Sequence, residues 1–108
     1  MSELSFDVRL DHDTAVVAVA GEVDMATASQ LDEYLCAHAD RHVIVDLSMV
    51  PFLDSSGLGA LVHARTVLGE NGRTLRVTGE QANVKTVLES TGLLAILHGE
   101  DGKSASRT

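Results

Sequence analysis

Aromatic side chains are scarce in this 108-residue chain, which has one tyrosine, two phenylalanines and no tryptophan. The core must therefore be built from Leu, Val, Ile and Ala, and the chain lacks the stacking platforms on which single-stranded nucleic acid is usually bound. Basic residues are also few, since 8 Lys and Arg against 16 Asp and Glu give a formal net charge of −8. Because nucleic acids and anionic membranes repel such a chain, we expect neither to be a partner.

Cysteine, targeting signals and long apolar runs are nearly absent as well. The single Cys36 cannot form a disulfide within the chain, which suits a reducing compartment. No apolar stretch approaches the roughly 20 residues that span a bilayer. Glu3 and Asp7 stand where a signal peptide has a basic start and an apolar block. We therefore expect one soluble, cytoplasmic domain with a single hydrophobic core.

The apolar pattern changes along the chain between strand-like and helix-like segments. Four segments have the alternation or the continuous apolar composition of β-strands: residues 4–10, 15–20, 43–47 and 75–77. Three segments have apolar residues at helical spacing: residues 24–39, 55–71 and 84–92. Residues 93–97 could add a final strand or a short packed segment. The order β-β-α-β-α-β-α predicts an α/β domain with a partly parallel sheet.

Two loops leave the carboxyl ends of predicted strands, at residues 21–24 and 50–57. Ligand and partner sites in α/β sheets favour this edge, so we expect both loops to lie on one rim, flanked by Asp24 and Asp46. Asp24 could instead be the N-cap of the first helix. Three apolar loop residues could either contact a partner or pack under a helix: Met49, Val50 and Phe52.

The most informative segment is Asp54-Ser55-Ser56-Gly57-Leu58-Gly59, at the start of the second predicted helix. A helix N-terminus favours a phosphate or another anion. Two glycines inside a helix, each costing about 1 kcal/mol relative to alanine, require a reason. One interpretation is simple capping by one of the first three residues of the segment. The other is a binding or modification surface that the two glycines leave bare beside the hydroxyls.

Catalysis and metal binding have little support in the sequence. The Gly-x-Ser-x-Gly frame of a nucleophile elbow is absent, and the five histidines show no spacing that would provide a base for a serine. Asp11-His12-Asp13 is typical of a solvated turn. Cys36 belongs to no Cys-x-x-Cys pair, and no Gly-x-x-x-x-Gly-Lys phosphate loop occurs. We therefore expect no catalytic residue, no metal and no cofactor.

Three blocks of residues carry a resemblance to a known family: Gly21-Glu22-Val23-Asp24 with Thr27 and Leu31, Val43 to Leu47 followed by Phe52 to Gly59, and Glu89-Ser90-Thr91-Gly92-Leu93. They resemble the STAS domain, and within that family the bacterial anti-sigma factor antagonists. The resemblance implies an α/β STAS fold, with a mixed, partly parallel sheet of four to five strands packed against three to four helices. This domain would occupy residues 1–98, and residues 99–108 would form a flexible C-terminal tail.

The resemblance also implies a function. Ser55 would be the regulatory phosphorylation site, and the domain would not be an enzyme but the substrate of an anti-sigma factor serine kinase. A metal-dependent serine phosphatase would reverse the step, and only the unphosphorylated protein would sequester the anti-sigma factor and free a sigma factor. The expected partner-binding residues are Asp24, Asp54, Ser56, Gly57, Leu58 and Gly59. A non-switching STAS subunit of a transporter or signalling assembly is the alternative, and a serine hydrolase is less favoured.

Overall fold

The computed structural model describes residues 3–99. Within this range the chain forms four strands and four helices in the following order: β1 (Ser5–Asp11), β2 (Thr14–Ala20), α1 (Ala28–Cys36), β3 (His42–Met49), α2 (Ser55–Glu70), β4 (Leu75–Thr78), α3 (Ala82–Ser90) and α4 (Leu94–Leu97). The predicted tail, residues 99–108, lies outside the described residues except for Gly99.

The sheet is mixed, with its strands in the order β1-β2-β3-β4. β1 and β2 form an antiparallel hairpin, whose turn holds His12 at a φ of 57°. β3 runs parallel to β2 and β4 runs parallel to β3, so α1 and α2 lie in the crossovers between parallel neighbours. The predicted α/β fold is confirmed, and the numbers of strands and helices fall within the expected ranges.

The core lies on one face of this sheet. Two rows of buried side chains cross β2, β3 and β4 in register: Ala15, Val43 and Leu75, then Val17, Val45 and Val77. These rows share one hydrophobic cluster with fully buried leucines of α1 and α2: Leu31, Leu35, Leu61 and Leu68. The residues that alternate with the buried ones along β2 are only partly buried, as the period of two requires. The core therefore fixes the ends of β2 and β3, from which the two predicted loops leave.

One helix prediction is corrected, and one pair of alternatives is decided. α1 covers Ala28–Cys36 rather than residues 24–39, because residues 24–27 form a separate turn in which the N–H groups of Thr27 and Ala28 donate to the Asp24 carbonyl. After α3 the chain forms the short helix α4, and Leu97 of that helix is fully buried. Of the two alternatives for residues 93–97, the packed segment is correct and the strand is wrong.

Candidate functional site

The two loops at the carboxyl ends of β2 and β3 are joined to each other. Val23 and Leu53 form an isolated parallel bridge. The Val23 N–H donates to the Phe52 carbonyl at 2.9 Å, and the Asp54 N–H donates to the Val23 carbonyl at 3.1 Å. Both bridge residues are almost fully buried. The predicted common rim is therefore present, and its two loops are held side by side by backbone hydrogen bonds.

Asp54 is the N-cap of α2. Its side-chain Oδ1 accepts hydrogen bonds from the Ser56 N–H at 2.9 Å and from the Gly57 N–H at 3.2 Å. Among the three capping residues that the sequence allowed, the structure thus selects Asp54. Ser55 is the first residue of α2 and is exposed, whereas Ser56 is half-buried. Because Asp54 does the capping, Ser55 is left as an exposed hydroxyl beside a helix N-terminus.

Asp54→Ala is expected to lower the free energy of unfolding by about 1–2 kcal/mol, because two N–H groups of the first turn lose their acceptor. Asp54→Asn keeps a side-chain oxygen at the same position and is expected to lose less than half of that amount. Urea unfolding followed by far-ultraviolet circular dichroism measures both variants. Equal losses in the two variants would show that the charge of Asp54, not its capping oxygen, stabilises α2.

Positions 57 and 59 are glycines for different structural reasons. Gly57 is buried, and a Cβ at this position would lie 2.7 Å from Val23 Cγ1 and 2.8 Å from Leu53 Cγ. Gly59 is exposed, and a Cβ there would have nothing within 4 Å. The expectation that both glycines leave bare surface is therefore corrected for Gly57, which makes room for the bridge below. Leu58 is only 6% exposed. Because Gly57 and Leu58 are both buried, they could affect partner binding only by positioning the exposed residues around them.

Asp24 caps the turn that precedes α1 rather than α1 itself, whose N-cap is Thr27. The Asp24 carboxylate accepts from the N–H groups of Ala26 at 2.9 Å and Thr27 at 3.2 Å. The fully buried Thr27 hydroxyl donates to the Glu22 carbonyl at 2.8 Å and accepts from the Asp24 N–H at 3.0 Å. These bonds fix the loop, and Asp24 lies half-buried beside the Val23–Leu53 bridge.

Large apolar side chains are exposed on the two loops of this rim and at the end of β3. Met25 is 83% exposed, Met49 is 64% exposed and Phe52 is 44% exposed, and we call these three residues the rim patch. Val50 is fully buried, so it packs in the core rather than contacting a partner. Asp46 lies on the β4 side of the rim, where its carboxylate accepts from the Ser48 N–H at 2.9 Å. Exposed apolar groups next to polar ones are typical of protein interaction surfaces.

A second group of side chains, which the sequence reasoning missed, lies between α1 and α2. Asp32 Oδ1 accepts from His63 Nδ1 at 2.8 Å and from the Cys36 thiol at 3.4 Å. The hydrogen bond to Asp32 raises the pKa of His63. Burial, together with Asp32, raises the pKa of Cys36 to about 11, so the thiol is protonated at neutral pH and is a poor nucleophile. The i, i+4 spacing of Asp32 and Cys36 is visible in the sequence, but the approach of His63 from another helix is not.

The histidines give no support to a serine hydrolase. Each of the five has a partner other than the serine pair: His12 with Asp11, His38 with the Tyr34 carbonyl, His42 with Thr74, His63 with Asp32, and His98 with Glu80. A triad would need one of these rings at the serine hydroxyl.

Within residues 3–99, no helix has the length and the apolar character needed to cross a membrane.

Comparison with known proteins agrees with this geometry. The family model of the STAS domain matches residues 5–104. An anti-sigma-B factor antagonist of Staphylococcus aureus (strain NCTC 8325 / PS 47) is 33% identical over 89 residues, which cover 80% of this chain and 82% of the relative. The crystal structure of an anti-sigma factor antagonist from Mycobacterium paratuberculosis is 29% identical with a TM-score of 0.69, covering 97% of this chain and 95% of that one. The anti-sigma factor antagonist SpoIIAA in its unphosphorylated form has the same fold, with a TM-score of 0.69, 22% identity and 83% of each chain covered.

Proposed function

The chain belongs to the STAS domain family, and we propose on this basis that it is an anti-sigma factor antagonist whose partner binding is switched at Ser55. The names of the similar proteins support the first half of the proposal. The observation that carries the second half is the exposed Ser55 at the N-terminus of α2, on a rim with exposed apolar side chains. A kinase can reach this hydroxyl without unfolding the domain.

The unphosphorylated protein binds its anti-sigma factor through the rim. The rim patch supplies apolar area, and the half-buried Asp24, Asp54 and Ser56 supply polar contacts around it. Gly59 leaves the surface of α2 low beside Ser55, because no side chain rises there. Binding of the anti-sigma factor frees a sigma factor, and the domain itself catalyses nothing in this process.

Phosphorylation at Ser55 adds about −1.5 to −2 charges to this surface. The first-turn N–H groups of Ser56 and Gly57 already bond Asp54, so they are not free to neutralise the phosphate. The added dianion therefore stands at the surface beside a carboxylate. Ser55 belongs neither to the buried bridge nor to the core, so the phosphorylated domain is expected to keep its fold and lose its partner. The partners of this cycle are an anti-sigma factor serine kinase and a serine phosphatase.

Ser55→Ala is expected to abolish phosphate incorporation and to keep binding to the anti-sigma factor. The partner is first identified as the protein that co-purifies with Ser55→Ala, and incorporation is then measured with that kinase and labelled ATP. Ser56→Ala is the comparison variant, because it removes the neighbouring hydroxyl and keeps Ser55. It is expected to keep phosphate incorporation, at a rate reduced by the loss of one rim contact.

Unchanged incorporation in Ser55→Ala would overturn the site assignment. Incorporation that disappears in Ser56→Ala but not in Ser55→Ala would move the switch to the neighbouring serine. Stable binding to a transporter ATPase, with no phosphorylation of either serine, would favour the non-switching STAS subunit instead.

A further inference from the structure

Three side chains with different donor atoms converge between α1 and α2. Asp32 and Cys36 lie one helical turn apart on α1, and His63 reaches them from α2. The carboxylate oxygen of Asp32, the Sγ of Cys36 and a ring nitrogen of His63 all lie within 4.8 Å of one another. Asp32 Oδ1 is 2.8 Å from His63 Nδ1 and 3.4 Å from Cys36 Sγ. None of these three residues is among those proposed to bind the partner.

Two of the three distances between these atoms are close to those of a tetrahedral zinc site, and the third, from sulfur to the ring nitrogen, is no longer than 4.8 Å. Zinc bonds of about 2.0 Å to oxygen and nitrogen and about 2.3 Å to sulfur place neighbouring ligand atoms about 3.3–3.6 Å apart. The oxygen–sulfur distance of 3.4 Å already matches this spacing. The oxygen–nitrogen distance of 2.8 Å must open by about half an ångström. The His63 ring is 60% exposed, so a small rotation of its side chain is not opposed by packing.

We propose that Asp32, Cys36 and His63 form a binding site for a divalent transition metal ion, with Zn²⁺ as the preferred ion. A thiolate and an imidazole select zinc-like ions over Mg²⁺ and Ca²⁺, which prefer oxygen ligands only. The thiol proton leaves to solvent as the sulfur–metal bond forms. The carboxylate and the thiolate then balance the two positive charges of the ion. Three protein ligands leave the fourth position to water.

The site is open to solvent from a cleft of about 230 Å³ between the two helices. Asp32 and His63 line this cleft together with Ser56 and Gly59. An ion held there joins α1 to α2. Because the three ligands come together only in the folded chain, binding of the ion stabilises the fold.

The test uses the reduced full-length chain without an affinity tag. Calorimetric titration with Zn²⁺ is expected to give one ion per chain, and Co²⁺ is expected to produce a thiolate-to-cobalt charge-transfer band in the absorption spectrum. Cys36→Ser and His63→Ala are each expected to weaken Zn²⁺ binding by roughly 100-fold or more. The matched control is His12→Ala, because His12 Nδ1 lies at the same 2.8 Å from the carboxylate of Asp11 but has no thiol beside it. Binding to His12→Ala is expected to equal that of the unmodified chain.

Several results would overturn the proposal. Equal Zn²⁺ affinity in Cys36→Ser would exclude the thiol as a ligand. One ion per two chains, with a doubled mass in sedimentation, would show that the ion bridges separate molecules. Absence of the charge-transfer band in the unmodified protein would reject the site even if a variant failed to fold, because that measurement needs no substitution.

Discussion

Gly57→Val is expected to lower the free energy of unfolding by about 3 kcal/mol, because the new side chain has no space in the packed interior. Its Cβ alone would lie 2.7 Å from Val23 Cγ1 and 2.8 Å from Leu53 Cγ. Both neighbours are almost fully buried, and their backbones are paired in the bridge that joins the two loops of the rim. Relief of the clash must therefore move backbone, since neither side chain can turn out into solvent.

Gly59→Val is the matched control, with the same substitution two residues further along the same helix. No atom lies within 4 Å of a Cβ at Gly59, so only helix propensity changes there, and valine is slightly better than glycine in that respect. Urea unfolding measures both variants, and circular dichroism is the suitable probe because the chain has no tryptophan. Equal unfolding midpoints for the two variants would show that the loops of the rim can move to accommodate the valine without loss of stability.

Local signals in the sequence were sufficient for most of the fold. The predicted second helix, residues 55–71, agrees with α2 at Ser55–Glu70, because Asp54 caps its beginning and Asn71-Gly72 follows its end. The order of strands and helices predicted a partly parallel sheet, and the preference of sites for the carboxyl ends of strands then predicted two loops on one rim. The Val23–Leu53 bridge confirms that the two loops meet.

The remaining features depend on contacts between residues that are distant in the sequence. Gly57 could be assigned to bare surface because nothing in its own segment indicates that Val23 lies against it. Asp24 was a plausible N-cap of α1, but the Thr27 hydroxyl binds back to Glu22 and closes a separate turn before the helix begins. Likewise, His63 on α2 contacts Asp32 on α1, and no periodicity in the sequence predicts a contact between residues so far apart in the chain. Tertiary packing, not local propensity, decides these three points.

Ser55→Glu is expected to weaken binding to the anti-sigma factor by about 100-fold, which corresponds to about 2.7 kcal/mol. The phosphorylated protein is expected to lose more, because a phosphate carries about twice the charge of a carboxylate. Docking removes water from the rim, and a charge that is desolvated there without a partner is costly. Asp54 accepts from the N–H groups of Ser56 and Gly57, so the new charge lies beside a carboxylate and these two donors are already engaged. Calorimetric titration with the partner measures the loss for both forms.

Ser90→Glu is the control for added charge, because Ser90 is exposed at the end of α3 and lies outside the rim segments. It is expected to leave partner affinity unchanged, and thermal unfolding should show that the unmodified protein, Ser55→Glu and Ser90→Glu are all folded.

The salt dependence of binding then separates charge repulsion from desolvation and steric overlap as causes of the lost affinity. Repulsion between exposed charges is screened over about 10 Å at 0.1 M salt, whereas desolvation and steric overlap at a buried contact are not. A loss of affinity that persists at high salt therefore places Ser55 inside the interface. Equal affinity of Ser55→Glu and the unmodified protein at low salt would contradict a switch at this residue.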